Sequence, residues 1–489
     1  MSRYSSSKSK NLKSIISVSG YLLRILGIIL ILPLVFSLIL KEGRTVFLSF
    51  LIPSLICLIL GFGIRIIFKN RSFKLDLVSS MLVVSFAWLI SSLIGALPFK
   101  IALKKNFIDC FFESVSGFTT TGITVFTNLS GLPQSIILWR SLIQWLGGLG
   151  ILTFFLLITF RSEGNLWRLF SAESHKINVS RPVPNIFKTI KIFWGIYILY
   201  TVLQIILLTI FQVTIFDAII HSFTTLSTGG FSNYDSSIGY FQQIGHPFYK
   251  QIEYITIIFM ILGGMNFLVH FKILTGNAKE FYSGIEMKYF WSIIISFTLI
   301  IFTARSIIDE TTLQLIEKNI RTILFQVVSV MTTTGYVTKN IDATFFPAVA
   351  KQLFLLLMLI GGCVGSTAGG VKVMRVATLN HLFLREIKKI SLPRHAVIPV
   401  TMDNNIIDTE EVLKISALFF GWIFLIIIGS VITSIFSDLN AFQSISGMMS
   451  AIGNIGPFYF SVDKMASLSP IIKLTYILGM LAGRLEILP

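Results

Sequence analysis

The chain has 489 residues, of which 54% are hydrophobic and only 13% charged, and a net charge of +17. Apolar runs of about 20 residues recur along it, which excludes a large soluble domain; a closed β-barrel would show short alternating segments instead. The positive charge invites a nucleic-acid reading, but the Lys and Arg residues sit in short stretches between apolar runs, the orientation signal of membrane insertion, so no nucleic-acid partner is expected.

Residues 5–13 are polar and basic. The apolar run from Ile15 to Leu40 is too long for a signal-peptide core and lacks a small-residue cleavage site, so it reads as a retained span. A second span covers 44–68, making 1–70 a two-span extension. Four units follow, at 76–161, 187–273, 286–390 and 411–489, each a span, a half-helix with a loop, and a second span. The expected fold is an all-α polytopic membrane protein, with four span/re-entrant helix/span repeats in pseudo-four-fold arrangement plus two N-terminal spans. That makes ten full spans. With the N-terminus inside, the inner segments hold the larger share of the 40 Lys and Arg residues, which places both termini in the cytoplasm and all four re-entrant loops on the outer side.

The units are defined by one repeated stretch. Thr332-Thr333-Thr334-Gly335-Tyr336-Val337-Thr338 recurs nearly unchanged as Thr119-Thr120-Thr121-Gly122-Ile123-Thr124. Weaker copies are Ser227-Thr228-Gly229-Gly230-Phe231 and Gly453-Asn454-Ile455-Gly456-Pro457. The anchoring glycines, Gly122, Gly230, Gly335 and Gly456, are spaced at roughly a hundred residues. Phe112 and Phe325 each stand ten residues before their glycine, so the approach repeats as well as the loop. A helix of about ten residues crosses only half a bilayer, which reads as a short re-entrant helix leading into an extended loop.

Irregular backbone survives at membrane depth only when buried in protein or lining a watery cavity. Four such segments related by repeat imply one shared cavity. Backbone carbonyls around its axis can replace a cation's water shell. Glycine accepts the backbone angles this needs, threonine adds a stiff side chain behind the loop, and each half-helix turns its partially negative C-terminal end to the cavity. Loop four breaks the side-chain symmetry with Asn454-Ile455.

The second membrane segment of unit three, from about Phe345 to Lys389, is about twice the length one span needs. Inside it lies Gly361-Gly362-Cys363-Val364-Gly365-Ser366-Thr367-Ala368-Gly369-Gly370-Val371-Lys372. So many small residues hold a helix poorly, which predicts an unwound loop crossing the cavity, the alternative being a small-residue helix-packing face. It is not a phosphate-binding loop, because Val371 intervenes between the second glycine and Lys372. Arg484 lies in the apolar run from Ile471 to Pro489; an intramembrane charge calls for a named partner, the carbonyls around Gly369 or the Glu486 carboxylate, unless the side chain snorkels to the cytoplasmic surface.

Other features are less telling. Gly147-Gly148-Leu149-Gly150 and Gly263-Gly264 recur at matching places and read as close-packing points. The outer acids Asp109, Glu113, Asp217, Asp235, Asp342 and Asp463 either concentrate cations at the mouth or do ordinary loop and capping work. His221, His246 and His270 are isolated, Cys57, Cys110 and Cys363 have no framework spacing, and there is no acid, histidine or metal cluster of the kind a membrane enzyme needs. No cofactor is expected beyond the transported ion. A coupled symporter using sodium or protons remains open beside a simple pore.

The sequence resembles the Trk/Ktr superfamily of potassium transporters, and within it the TrkH branch. The resemblance is carried by FFESVSGFTTTGITV at 111–125, WRSLIQWLGGLGI at 139–151, HSFTTLSTGGFSNYDSSIGYF at 221–241, TTTGYVT at 332–338, GGCVGSTAGGVKVMR at 361–375, GNIGP at 453–457 and GMLAGRLEIL at 479–488. It implies potassium uptake across the bacterial cytoplasmic (inner) membrane by a homodimer, each protomer with its own pore, under control of a cytoplasmic nucleotide-binding TrkA-type subunit. It implies potassium held by carbonyls of Thr120, Thr121, Thr228, Gly229, Thr333, Thr334, Asn454 and Ile455, with Gly122, Gly230, Gly335 and Gly456 keeping the filter open and the glycine at 122 as in potassium-selective members. Residues 365–370, Gly365-Ser366-Thr367-Ala368-Gly369-Gly370, with Lys372, become the intramembrane gate and Arg484 its electrostatic latch. Family members continue the last helix past the GRLEIL motif, so this sequence, ending at Pro489, is expected to have a short inner end to its final span.

Overall fold

A computed structural model describes residues 2–68, 77–150, 153, 186–308, 313–393, 398–403 and 405–485. The chain opens with α1 (Ser2–Ile29) and α2 (Ile31–Ile39), which together supply one apolar stretch, and returns through α3 (Arg44–Ile67). α1 and α3 approach closely because Gly20 lies against Ile64, Gly27 against Leu58 and Gly61 against Arg24. The Ser54 hydroxyl donates to the Gly27 carbonyl at 2.7 Å, satisfying itself inside the contact.

Four groups of helices follow. The first is α4 (Leu77–Leu103), α5 (Phe107–Phe118) and α6 (Gln134–Gly148). The second is α7 (Ile186–Ile210), α8 (Ile215–Leu226), the short α9 (Gly239–Gln243), α10 (Tyr249–Gly264) and α11 (Phe267–Leu274). The third is α12 (Ile285–Ile308), α13 (Leu313–Met331), α14 (Ala348–Ile360) and α15 (Val373–Ile390). A two-stranded antiparallel hairpin, β1 (Thr401–Met402) and β2 (Asn405–Ile406), leads into the fourth: α16 (Thr409–Ile435), α17 (Ala441–Gly453), α18 (Val462–Ser467) and α19 (Pro470–Leu485).

The half-helices α5, α8 and α17 have 12, 12 and 13 residues, near the length expected, but α13 has 19. Their starts are capped where the sequence allows. Thr214 accepts from the Asp217 amide at 3.1 Å, and Asn440 with Gln443 forms a reciprocal capping box. Each half-helix packs between the first and second helices of its group.

Among the described residues six helices are long and apolar enough to cross a membrane, or up to seven if the bent pair α10–α11 counts as one. Ten full spans are expected from the sequence, and the difference falls on the second helix of each group. α6 stops at Gly148, α10 turns into α11 through 105°, α14 stops at Ile360, and α19 has 16 residues. The cause is visible at the glycine pairs. A Cβ on Gly147 would collide with the Phe118 carbonyl, one on Gly264 with Thr332, and one on Gly483 with the Ile452 carbonyl. The second helices press onto the ends of the half-helices there, and glycine both permits that approach and weakens the helix. The inner end expected of unit one, residues 154–161, and the basic residues at 69–74 and 161–181 lie outside the described residues.

Candidate ion pathway

All four half-helices end in the same backbone turn. The amides of Thr121, Gly229, Thr334 and Ile455 donate to the carbonyls of Ser116, Thr224, Ser329 and Ser450, five residues back, at 2.9, 2.9, 2.9 and 3.0 Å. The preceding residues Thr120, Thr228, Thr333 and Asn454 bond three residues back. Together these are the two bonds of a Schellman motif, whose pivot residue must be left-handed. Here the pivots are Thr120, Thr228, Thr333 and Asn454, with φ of 55°, 51°, 53° and 52°. Glycine is the usual pivot; a β-branched residue there is a genuine outlier, costing roughly 1–2 kcal/mol. Three threonines held in this state by one repeated frame mark a strained site. Two residues later the chain turns left-handed again at Gly122, Gly230, Gly335 and Gly456.

These glycines meet. A Cβ on Gly122 would collide with the Gly229 carbonyl, one on Gly230 with the Thr334 carbonyl, and one on Gly335 with the Ile455 carbonyl. At Gly456 the nearest atom is the Thr121 carbonyl oxygen at 3.1 Å. The neighbours run loop one to two, two to three, three to four and four back to one, so the loops close into a ring. Four main-chain oxygens, of Thr121, Gly229, Thr334 and Ile455, sit at its seams. Such a ring can present peptide oxygens to a cation. After the glycine each chain runs back along its own helix: Ser329 donates to the Tyr336 carbonyl at 2.6 Å, and the Tyr459 amide to Ser446 at 3.0 Å.

Side chains brace the ring differently at each seam. Gln144 of α6 donates to the Gly229 carbonyl at 2.7 Å and accepts from the Phe231 amide at 3.0 Å. The Asn454 amide donates to Thr121 Oγ1 at 2.8 Å and to the Met480 carbonyl at 3.0 Å. Arg140 pairs with Glu113 at 2.7 Å, both groups being buried, and donates to the Ser232 carbonyl of loop two at 2.9 Å. Glu113 also accepts from the Thr124 hydroxyl at 2.8 Å and the Val125 amide at 3.1 Å. Of the two readings open for Glu113 this favours loop bracing over the mouth, since the carboxylate is walled in behind loop one rather than facing solvent. Asp217 is likewise buried and accepts from Tyr234 at 2.9 Å, while Asp109 and Asp342 pair with Lys473 and Lys351, both at 2.6 Å. Gln144 and Arg140 were not singled out by sequence reasoning; a buried cation in an apolar helix was the available signal for Arg140.

Between α14 and α15 the chain is irregular from Gly361 to Lys372, with left-handed turns at Gly361, Gly365, Gly370 and Lys372. This segment lies against the pivot residues. Thr367 meets Thr228 at 3.2 Å and donates to the Leu226 and Gly263 carbonyls, both at 2.9 Å. The Gly369 amide donates to Thr333 Oγ1 at 2.7 Å, and a Cβ on Gly369 would strike the Gly453 carbonyl. The segment therefore reaches from loop two past loop three to loop four, with Ala368 buried and Ser366 hydrogen-bonded to the Cys363 carbonyl at 2.5 Å. Lys372 donates to the Ala368 carbonyl and folds back over the turn.

Arg484 closes the remaining side. Its guanidinium donates to the Thr367 carbonyl at 3.1 Å, to Thr120 Oγ1 at 3.3 Å, and to the Gly148 and Gly147 carbonyls, the former at 2.8 Å. Thr367, rather than Gly369 itself, is its partner in the crossing segment; Glu486 lies outside the described residues. Gly483-Arg484 occupies the place of the glycine pairs in the other second helices, so the fourth unit has a cation where units one and two have Gly148 and Gly264.

The profile of the TrkH family, described as a cation transport protein, matches residues 48–489. An uncharacterized cation transporter of Methanocaldococcus jannaschii is 35% identical over 489 residues, covering 98% of this chain and 94% of that one. The Trk system potassium uptake protein TrkH of Escherichia coli K12 is 32% identical over 485 residues, covering 97% and 96%. The crystal structure of the potassium transporter TrkH from Vibrio parahaemolyticus superposes with a TM-score of 0.83 at 28% identity, covering 97% of each chain. These relatives are named as transporters, not enzymes. The helical architecture, the extent of the match and the level of identity place this chain in the TrkH family of membrane cation transport proteins.

Proposed function

We propose that the chain is the pore subunit of a potassium uptake system, built as the two-span extension 1–70 and the four pore units at 76–161, 187–273, 286–390 and 411–489. Potassium binds at the ring, where oxygens of Thr120, Thr121, Thr228, Gly229, Thr333, Thr334, Asn454 and Ile455 replace its water. The single observation behind this reading is the cyclic contact of the four left-handed glycines, each against the next loop in chain order. The E. coli and Vibrio relatives, named for potassium, support potassium as the ion.

Residues 365–370 act as the gate. The segment touches the pivots of three loops, and Arg484 ties it to the fourth while placing a fixed positive charge beside the cation path. Opening has to withdraw both. Family likeness supports a homodimer in the cytoplasmic membrane with both termini inside, regulated by a cytoplasmic nucleotide-binding partner.

Rubidium uptake into vesicles carrying the purified chain tests the function. Rubidium is expected to enter down its own gradient, with potassium competing better than sodium. Uptake that requires a sodium or proton gradient would replace the pore by a symporter, and no uptake under any gradient would overturn potassium transport altogether.

A further inference from the structure

The crossing segment is held from a second direction that neither the ring nor Arg484 involves. The Val364 amide, buried, donates to the Glu286 carboxylate at 2.7 Å. Glu286 stands in the first turn of α12, 78 residues earlier in the chain. Asn266, at the bend between α10 and α11, lies near the same carboxylate, its carbonyl oxygen accepting from the Leu268 amide at 2.8 Å. The Lys372 ammonium is close enough to attract it, and Asp403 close enough to repel it. The neighbouring Phe267 amide donates to the Gly365 carbonyl at 3.0 Å. The start of α12, through Glu286, and the broken span of unit two, through Phe267, thus both hold the first half of the crossing segment.

The network continues outward. The Ile285 amide, next to Glu286, donates to Asp403 Oδ1 at 2.9 Å. Asp403 is the left-handed residue following β1 in the exposed hairpin, and Gly284, also left-handed, lets the chain pass beside it. Asp403 is exposed whereas Met402 before it is buried, so the hairpin is anchored yet reachable. A displacement of the hairpin pulls on Ile285, and through the helix start on Glu286 and Val364.

We propose that Glu286 is a positioning residue for the gate, the tether that holds Val364 and hence residues 365–370 across the pathway, with Asp403 as its link to the hairpin surface. This rests on the crossing segment being the gate. A first-turn acid also stabilises its own helix N-terminus, but that role requires no hydrogen bond to a segment 78 residues away. Removing the carboxylate leaves a buried amide without its acceptor only while the segment is closed, so the closed state loses more than the open one.

The test is rubidium flux through the full chain in vesicles, with the potassium-to-sodium ratio and the melting temperature measured on the same samples. Glu286→Ala is expected to raise flux about tenfold, and Glu286→Gln, which keeps an acceptor but not the charge, about threefold. The ion ratio stays at its starting value, because the ring is untouched. Asp403→Ala raises flux by itself about twofold but adds nothing in the Glu286→Ala background, since the link is already cut. Flux at the starting level in both Glu286 variants, while Arg484→Ala raises it, overturns the tether and leaves the gate standing. Flux unchanged in Arg484→Ala as well removes the gate and the tether with it. A melting temperature that falls with no rise in flux assigns Glu286 to helix stability alone and also overturns the proposal.

Discussion

The ring and the segment that crosses it follow opposite rules. In the ring four loops repeat one backbone turn, down to the hydrogen bond from the residue before each glycine to a carbonyl five residues back. In the crossing segment nothing repeats: it comes from unit three alone, and its counterweight, Arg484, from unit four alone. An axis shared by four loops can be lined four times but obstructed only by a single chain. On the proposed reading, symmetry belongs to ion coordination and asymmetry to closure. The border between them is the row of pivots, where Thr228 and Thr333 take part in the turn and also touch the segment.

The ring is not symmetric in its bracing, and the largest predicted effect exploits that. Arg140 and Glu113 are buried together, and removing one partner leaves an uncompensated charge. Arg140→Ala is expected to destabilise the chain by about 3–5 kcal/mol, seen as a large fall in melting temperature. No comparable pair stands among the described residues behind loop four, where Gly447 takes the equivalent place beside Tyr476. Next comes the ring itself. Gly335→Ser forces a side chain into the Ile455 carbonyl at a positive φ, and potassium-over-sodium preference should fall roughly a hundredfold, about 2.8 kcal/mol. Gly456→Ser meets its nearest atom only at 3.1 Å and should cost about tenfold. Equal losses at the two glycines in the measured ion ratio would show that the seams are alike after all.

Smaller effects are expected at the crossing segment. Deleting 366–369 should raise passive rubidium flux more than tenfold, and Arg484→Ala about tenfold, each without loss of ion preference. A fall in preference in either variant would mean that ring and segment are one mechanical unit rather than two. The smallest change is Asn454→Thr, which gives loop four the pivot of the others. It loses the amide bonds to Thr121 and Met480 and places a β-branched residue in the left-handed region, about 1–2 kcal/mol of stability in a melting experiment.

How much of this was legible depended on whether a signal was local. The glycine at each loop and the polar residue two before it form a short repeated pattern, so the four loops stand out from the sequence. Arg484 stood out because charge in an apolar run has few explanations. The fate of Glu113 was not legible: an acid near a loop looks like a mouth residue until Arg140, 27 positions on, is found beside it. The glycine pairs at 147–148 and 263–264 were ambiguous because small residues both allow close packing and break helices, and the contact with the half-helix ends decides that these second helices stop or bend. Gln144 and Glu286 carry no local mark at all. Each matters through backbone groups contributed from a distant part of the chain.

Anomalous diffraction at the rubidium edge, from crystals grown in rubidium, tests the central claim most directly. The account predicts a peak on the axis encircled by Gly122, Gly230, Gly335 and Gly456, within contact of the main-chain oxygens of the four loops. An axis free of anomalous density, with rubidium bound elsewhere in the same crystal, would contradict it.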